Sequence, residues 1–347
     1  MEYIKPIYTR SQVVKAGKIL IDSSATAIDK NEALIILNNW RSSHDYPMNT
    51  FQSNIRGKIK SLRFSALVVE RLKRTPSIIR KLERYKSMSL PTMQDIGGLR
   101  VILRDISYVN KLRDVIVSSK FLHSLIKENN YIINPKKSGY RSLHLIYEYK
   151  NKYRTHYNGL QIEIQLRTDI QHIWATAVET MGIVLEHSLK SSEGPEKRLD
   201  FFAMSSSYLA IKEGMPTLDK HSSLTEEEIK NHLKIMETDL NVIKKLETYS
   251  NAIRFIDTKL SKRKENYEHY LLVLDNINKT ATVTGFEKGK LDDATNLYLE
   301  KEKLFLDEKD GQVVLVSGEG LNELKKGYPN YFGDTTEFVR ILRNIIK

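Results

Sequence analysis

The chain contains no cysteine, which excludes disulfides, thiolate zinc sites and cysteine nucleophiles. It also lacks any apolar run near the roughly 20 residues that a membrane-spanning helix needs. The opening MEYIKPIYTR has none of the apolar stretch of a secretory leader. No internal repeat or low-complexity segment is evident. These absences lead to the expectation of a soluble, cytoplasmic protein with no membrane partner. What is present fits that class: 40% of residues are hydrophobic and 28% charged, an ordinary globular balance. At 347 residues the chain is long for one core and suggests two domains, or one domain with an appendage.

Acidic residues are scarce in one part only. Residues 221–347 hold 20 Lys and Arg against 22 Asp and Glu, whereas residues 1–220 hold 35 against 21. The whole positive excess behind the net charge of +12 therefore sits in the first two-thirds. Such a field favours polyanions, whether nucleotides, RNA or acidic membrane; the bland alternative is an idle basic surface.

Helical periodicity runs from Ser11 to about Trp40 and again from Phe51 to about Tyr85, with Pro76 marking a break near Ser77. The pattern then changes. Leu99–Leu103, Ser142–Tyr149 and Leu160–Leu166 read as strands, with a helix over 107–119 and an Asn158-Gly159 turn signal. Helices are expected next over 169–189 and 196–213. Together these predict an α+β core with a mixed sheet flanked by helices. A break at Gly214-Met215-Pro216 precedes a capping box at Thr225–Glu228 and one long charged helix to about Arg263. Strands at 270–274, 281–284 and 313–316, with a helix over 291–305, predict a small α/β module. The expected division is a domain over 1–222, a linker helix over 223–265 and a module over 266–347.

Chemistry concentrates in four blocks of the basic part. Arg71, Lys73, Ser77, Lys81 and Arg84 come first. The last four recur at spacings that one helix would stack on one face, a cradle for polyphosphate or else a solvated basic face. Asp95-Ile-Gly-Gly-Leu-Arg100 sets a carboxylate before a glycine turn and strand, suited to a hard cation or to a plain turn. In Gly139-Tyr140-Arg141-Ser142-Leu143-His144, the glycine is expected to expose the tyrosine ring for base stacking, and His144 to share a strand face with Ser142. Glu163, Gln165 and Arg167 alternate with Ile162, Ile164 and Leu166, so one polar face is predicted to line a site. His172 lies five residues beyond Arg167. Asp95 and Glu163 would then form a two-carboxylate Mg²⁺ site. His44-Asp45, the sole His-Asp dipeptide, sits in a Tyr-Pro turn context and gives no sign of a metal-dependent hydrolase.

In order, these blocks resemble the RelA/SpoT-type alarmone synthetase family over roughly residues 50–190. The resemblance implies a nucleotidyltransferase-like synthetase core and transfer of the β,γ-diphosphate of ATP to a hydroxyl. It implies that Arg71 and Arg100 sandwich adenine while Lys73, Ser77, Lys81 and Arg84 hold the triphosphate. Asp95 and Glu163 would bind Mg²⁺, Glu163 also helping to deprotonate the acceptor. Tyr140 would stack on the acceptor base, His144 would contact phosphate, and Gln165 would support the site. Arg167 and His172 are equally readable as structural partners.

The long N-terminal segment and C-terminal module further resemble the CapRel group, toxic small alarmone synthetases fused to their own antitoxin. That likeness implies pyrophosphorylation of the tRNA 3′ end, inhibition of translation, and a zinc-finger-like module without metal ligands. It also implies release of inhibition by a trigger such as a phage protein. Tyr328-Pro-Asn-Tyr331 would block the ATP site, unless both tyrosines simply pack on the terminal helix. Lys58, Lys60 and Arg63 form a basic patch that would receive tRNA or remain a solvated helix face. A (p)ppGpp or (p)ppApp synthetase acting on GTP, GDP or adenine nucleotides is the alternative, and a monomer is the expected state.

Overall fold

The computed structural model describes residues 3–185, 194–257, 267–305, 310–317 and 320–347. Three helices open the chain: α1 (Arg10–Ile21), α2 (Ala27–Ser42) and α3 (Asp45–Leu62). Thr9 and Thr26 cap the first two by accepting from the Gln12 and Asp29 amides. His44, at the start of α3, bonds the Trp40 carbonyl through Nδ1 at 2.8 Å, a structural role.

The helix expected from Phe51 to Tyr85 is interrupted. Ala66–Leu72 forms a strand, β1, and only Thr75–Arg84 returns to helix as α4, with Pro76 in its first turn. The adjacent β-branched pair Val68-Val69 suits a strand, and antiparallel pairing with β2 (Gly97–Leu103) decides the matter. Helix α5 (Ile106–Val117) comes next, capped by Asp105. Then come β3 (Ser124–Asn130), β4 (Leu143–Glu148) and β5 (Gln161–Thr168). The edge strand β3 is not among the expected elements, because its polar Lys127–Asn130 run carries no alternation.

The sheet runs β1-β2-β5-β4-β3 and is mixed, since β2 and β5 are parallel while the other neighbours are antiparallel. Its two faces differ in chemistry. Leu99, Val101, Leu143, Leu145, Ile162, Ile164 and Leu166 point to one side and form a core with α1, α3, α4 and α5. The opposite side carries Arg71, Arg100, His144, Glu163, Gln165 and Arg167.

Helices α6 (Asp169–Val184), α7 (Glu196–Lys212), α8 (Glu226–Leu240) and α9 (Val242–Ala252) build a second core. The single linker helix expected over 223–265 is therefore corrected. Asn241 adopts a left-handed conformation (φ 52°) that splits it into α8 and α9. Ile229, Leu233, Val242 and Leu246 bury themselves beside α6 and α7 rather than bridging solvent, and residues 258–265 lie outside the described residues. Next come β6 (Arg254–Asp257), β7 (Tyr267–Asp275), β8 (Thr280–Glu287), α10 (Leu291–Leu304), β9 (Gly311–Ser317), α11 (Leu321–Gly327) and α12 (Thr336–Ile346). Strands order as β6-β8-β7-β9 in a second mixed sheet. The terminal helix leaves this sheet: Phe338, Val339, Leu342 and Ile345 insert into the core made by α6 to α9. Among the described residues, no helix is long and apolar enough to cross a membrane.

Candidate active site

The polar face of the first sheet gathers most of the candidate residues. Parallel pairing of β2 with β5 sets Gly98 opposite Glu163 and Arg100 opposite Gln165, while β4 sets His144 opposite Gln165. Asp95 lies just ahead of β2, and its charge is felt at Glu163.

Lys73 is not on the helix expected to carry it. It lies just past the end of β1, while Ser77, Lys81 and Arg84 lie on α4. The two lysines still converge, since Lys73 Nζ meets Asp95 Oδ2 at 3.0 Å and Lys81 Nζ meets Oδ1 at 2.8 Å. Burial opposes ionisation of Asp95, but the two ammonium groups outweigh it and hold the carboxyl well below its ordinary range.

A hydrogen-bonded chain crosses the middle of the face. The Tyr140 hydroxyl lies 2.9 Å from His144 Nε2, and His144 Nδ1 lies 2.8 Å from Glu163 Oε1. Gln165 Nε2 donates to Glu163 Oε2 at 2.7 Å. Burial raises the Glu163 pKa, yet His144 and Gln165 reverse the effect and keep it below the usual value. Glu163 is thus held ionised, with Nδ1 of His144 as its donor.

The expected exposure of Tyr140 is corrected: its ring is buried, at 3% exposure. Gly139 has a φ of +91°, and a Cβ there would meet Ser206 Cβ at 2.8 Å. The glycine is needed for the chain to pass between Ser206 and Trp174, and that passage turns Tyr140 inward. Its ring edge faces His144, centroids 5.7 Å apart. The open aromatic surface is Tyr131, half-buried, with Lys136 Nζ 4.6 Å from its ring centroid and 5.2 Å from that of Tyr140. Lys136 is not among the residues singled out from sequence, though it stands in the basic pair just upstream of Gly139. Burial lowers its proton affinity while the charge of Glu163 raises it.

Arg71, Arg100 and Arg167 form the third cluster. Burial pulls the Arg100 pKa down and Arg71 adds repulsion; Arg167 is lowered first by burial, then by Arg100. Arg167 Nη2 bonds His172 Nδ1, and His172 Nε2 reaches the Lys326 carbonyl at 2.8 Å. An arginine only donates and a carbonyl only accepts, so His172 is neutral with its proton on Nε2. Burial and the arginines hold its pKa well below the ordinary value.

The segment that His172 grips also covers Arg100. Arg100 Nη1 donates to the Gly327 carbonyl at 3.0 Å, and its Cζ lies 6.0 Å from the Tyr328 ring centroid. The Tyr328 hydroxyl donates to the Glu70 carbonyl. Tyr331 stands edge-on to Tyr328 at 6.3 Å, and both are buried. Neither tyrosine belongs to the core of α12; they pack with Val69 and the second sheet.

Lys58, Lys60 and Arg63 are not brought to this face. They lie at the end of α3, which packs on the opposite side of the sheet, and Lys58 bonds Ser119 there.

As a cation site, the donor chemistry fits: Mg²⁺ commonly takes one or two protein carboxylates with substrate oxygens completing its shell. Asp95 and Glu163 would hold it. In the present arrangement Lys73 and Lys81 engage both oxygens of Asp95, so ion and ammonium groups compete for one carboxylate.

A family model described as the region found in RelA / SpoT proteins matches residues 70–183, a stretch containing every site residue from Arg71 to His172. Residues 70–183 are thus similar to that region. The chain is 34% identical over 136 residues to GTP pyrophosphokinase YjbM of Bacillus subtilis, covering 38% of this chain and 60% of the relative. For GTP pyrophosphokinase YwaC of the same organism the values are 35% over 112 residues, 30% and 52%. The chain thus spans between half and two-thirds of the length of these curated relatives. The crystal structure of small alarmone synthetase 1 from Bacillus subtilis bound to its product pppGpp is 30% identical, covering 48% of this chain and 90% of that one, at a TM-score of 0.37. The matched stretch ends at 183, ahead of α7 and of the second sheet.

Proposed function

We propose that the chain is an ATP-dependent, Mg²⁺-using pyrophosphokinase whose donor site is covered by its own C-terminal module. The observation that carries this reading is the meeting of Lys73 and Lys81 at Asp95, beside a sheet face that bears Glu163 and Arg100, with Tyr328 over Arg100. The names of the relatives supply the reaction class. An acceptor hydroxyl oxygen bonds to the β-phosphorus of ATP, and the bond from that phosphorus to the α,β-bridging oxygen breaks. AMP leaves with the bridging oxygen, and the hydroxyl proton passes to the ionised Glu163 carboxylate. Mg²⁺ held by Asp95 and Glu163 supplies charge neutralisation at phosphate oxygens. Lys73, Lys81 and Arg84 bind and orient the triphosphate. Tyr140 acts through His144, by fixing the ring that donates to Glu163.

Adenine stacked between Arg71 and Arg100 and the segment Gly327–Tyr328 both need the Arg100 guanidinium, so on this reading module and ATP exclude one another. This supports kinship with the CapRel group, as do the absence of cysteine and the Tyr-Pro-Asn-Tyr turn. The acceptor on this reading is the 3′-hydroxyl of tRNA, supported by the positive excess of residues 1–220. With Lys58, Lys60 and Arg63 on the far side of the sheet, they would meet the body of a large polyanion rather than its reacting end. A trigger such as a phage protein would lift the module from a monomer. The relatives' names favour a second acceptor class, GTP or GDP, with adenine nucleotides as the related (p)ppApp case. Incubation of a Gly327→Ala chain, chosen to unseat the module, with ATP labelled in the β-phosphate plus tRNA, GTP, GDP or ATP separates these readings. Label on tRNA supports the first, label on a nucleotide the second, and label on none sinks the reaction assignment.

A further inference from the structure

One buried charge cluster stands outside the catalytic face. Arg41, from α2, is 1% exposed, and its Nη1 donates to both oxygens of Glu302, at 3.0 and 3.1 Å. Glu302 belongs to α10, in the C-terminal module. Its carboxylate also accepts from the Thr75 amide at 2.9 Å and the Thr75 hydroxyl at 3.0 Å. Tyr298 adds its hydroxyl to Glu302, with its ring 4.7 Å from Arg41 Cζ. Thr75 is the first residue of α4, so the carboxylate caps that helix at its positive end. Burial opposes the charge on Glu302, but Arg41 and the donated hydrogen bonds keep its pKa below the ordinary value.

The position of this carboxylate matters as much as its partners. Arg41 Nη1 also approaches the Lys73 carbonyl at 3.5 Å; Lys73 precedes α4 and Lys81 lies on it. Arg41 Nε is buried and has no hydrogen-bond partner among the described residues, so the guanidinium keeps a donor in reserve. A seated carboxylate, a helix N-terminus, a buried guanidinium and an open donor together define a site built for an anion.

We propose that Arg41 and the first turn of α4 form an anion subsite, held by Glu302 while the module is seated and taken by a phosphate group once it lifts. The identity of the ligand as polyphosphate rests on the pyrophosphokinase reading; the site itself does not. Glu302 is then an intramolecular stand-in for phosphate. Being tethered, it competes at an effective concentration near the millimolar range, so free phosphate compounds bind the closed protein weakly.

The test is calorimetric binding of inorganic tripolyphosphate to the full chain, with no acceptor present. Glu302→Gln is expected to bind at least about tenfold more tightly than the parent, a change of roughly 1.4 kcal/mol. Adding Arg41→Met to Glu302→Gln is expected to erase that gain. Should the Gln variant fail to fold, Glu302→Asp, which withdraws the carboxylate by one methylene, gives the same comparison. No gain in a folded variant overturns the proposal, and so does a gain that survives loss of Arg41. An Arg41-dependent gain without diphosphate transfer in the labelled assay would sink the pyrophosphokinase reading and leave the subsite standing.

Discussion

Gly327 packs directly against the first sheet. A Cβ there would lie 2.6 Å from Cγ1 of Val69, and Val69 is a buried, branched side chain with little freedom to yield. Overpacking of this kind typically costs about 1–3 kcal/mol, enough to shift a seated-to-lifted equilibrium by roughly five- to 150-fold. Gly327→Ala is therefore expected to raise basal diphosphate transfer, and adding Val69→Ala to restore repression; unchanged basal rates in the folded single variant would contradict it. At the centre of the face, Asp95→Asn or Glu163→Gln should lower transfer by at least about 10²-fold while circular dichroism stays unchanged. A folded double variant with normal turnover would remove both from the site. Tyr140 needs a gentler change than alanine, because emptying its buried position costs about 3–5 kcal/mol. Tyr140→Phe keeps the packing and deletes the bond to His144. It should reduce the transfer rate with ATP affinity intact, as measured by single-turnover kinetics against equilibrium binding.

Helix α4 shows how far the elements are legible in the sequence. Its basic residues and Pro76 are readable because capping and charge spacing are local. The strand β1 before it is not, since pairing with β2 is what overrides a helical pattern. Strands β3 and β6 escape a sequence reading for the same reason: each is short or polar, and only neighbours in the sheet define it. Glu163, Gln165 and Arg167 are legible as one face, because strand alternation needs no tertiary knowledge. The inward turn of Tyr140 is not, because it depends on Ser206 and Trp174, distant in sequence. The cap that Glu302 places on α4 is likewise invisible, joining residues 227 positions apart. That cap carries a pH signature. Its folded pKa lies below the ordinary 4.5, so its contribution is fully present above pH 4.5 and is lost as pH falls through the lower folded value. Hydrogen exchange at Thr75 and Ile78 should accelerate across that acidic window in the parent. Glu302→Gln should flatten this dependence, and an identical profile would exclude the carboxylate as its source.

At the scale of the molecule, the second sheet is bracketed rather than appended. The chain enters it from α9 and leaves it into α12, and both helices bury residues in the same core as α6 to α8. Entry and exit are joined directly, since the Ser250 hydroxyl donates to the Gly333 carbonyl and lies 3.1 Å from Thr335 Oγ1. A truncation that removes residues 266–347 therefore also strips Phe338, Val339, Leu342 and Ile345 from that core. Such a truncation should lower the melting temperature, whereas excision of 255–332 with a short Gly-Ser bridge should raise basal transfer with much less destabilisation. Equal melting points for the two deletions would show that α12 contributes nothing to the core. Two fixed ends also govern how the module behaves after release. Held at both ends, it lifts as a loop closed by Ser250 and Thr335 and has no distant state in which to be lost. Its return needs no search through solution, so the off state re-forms as soon as whatever displaced it departs. On the proposed reading, activity would then last only as long as a displacing partner stays bound, and rapid dilution of that partner should end it without a lag.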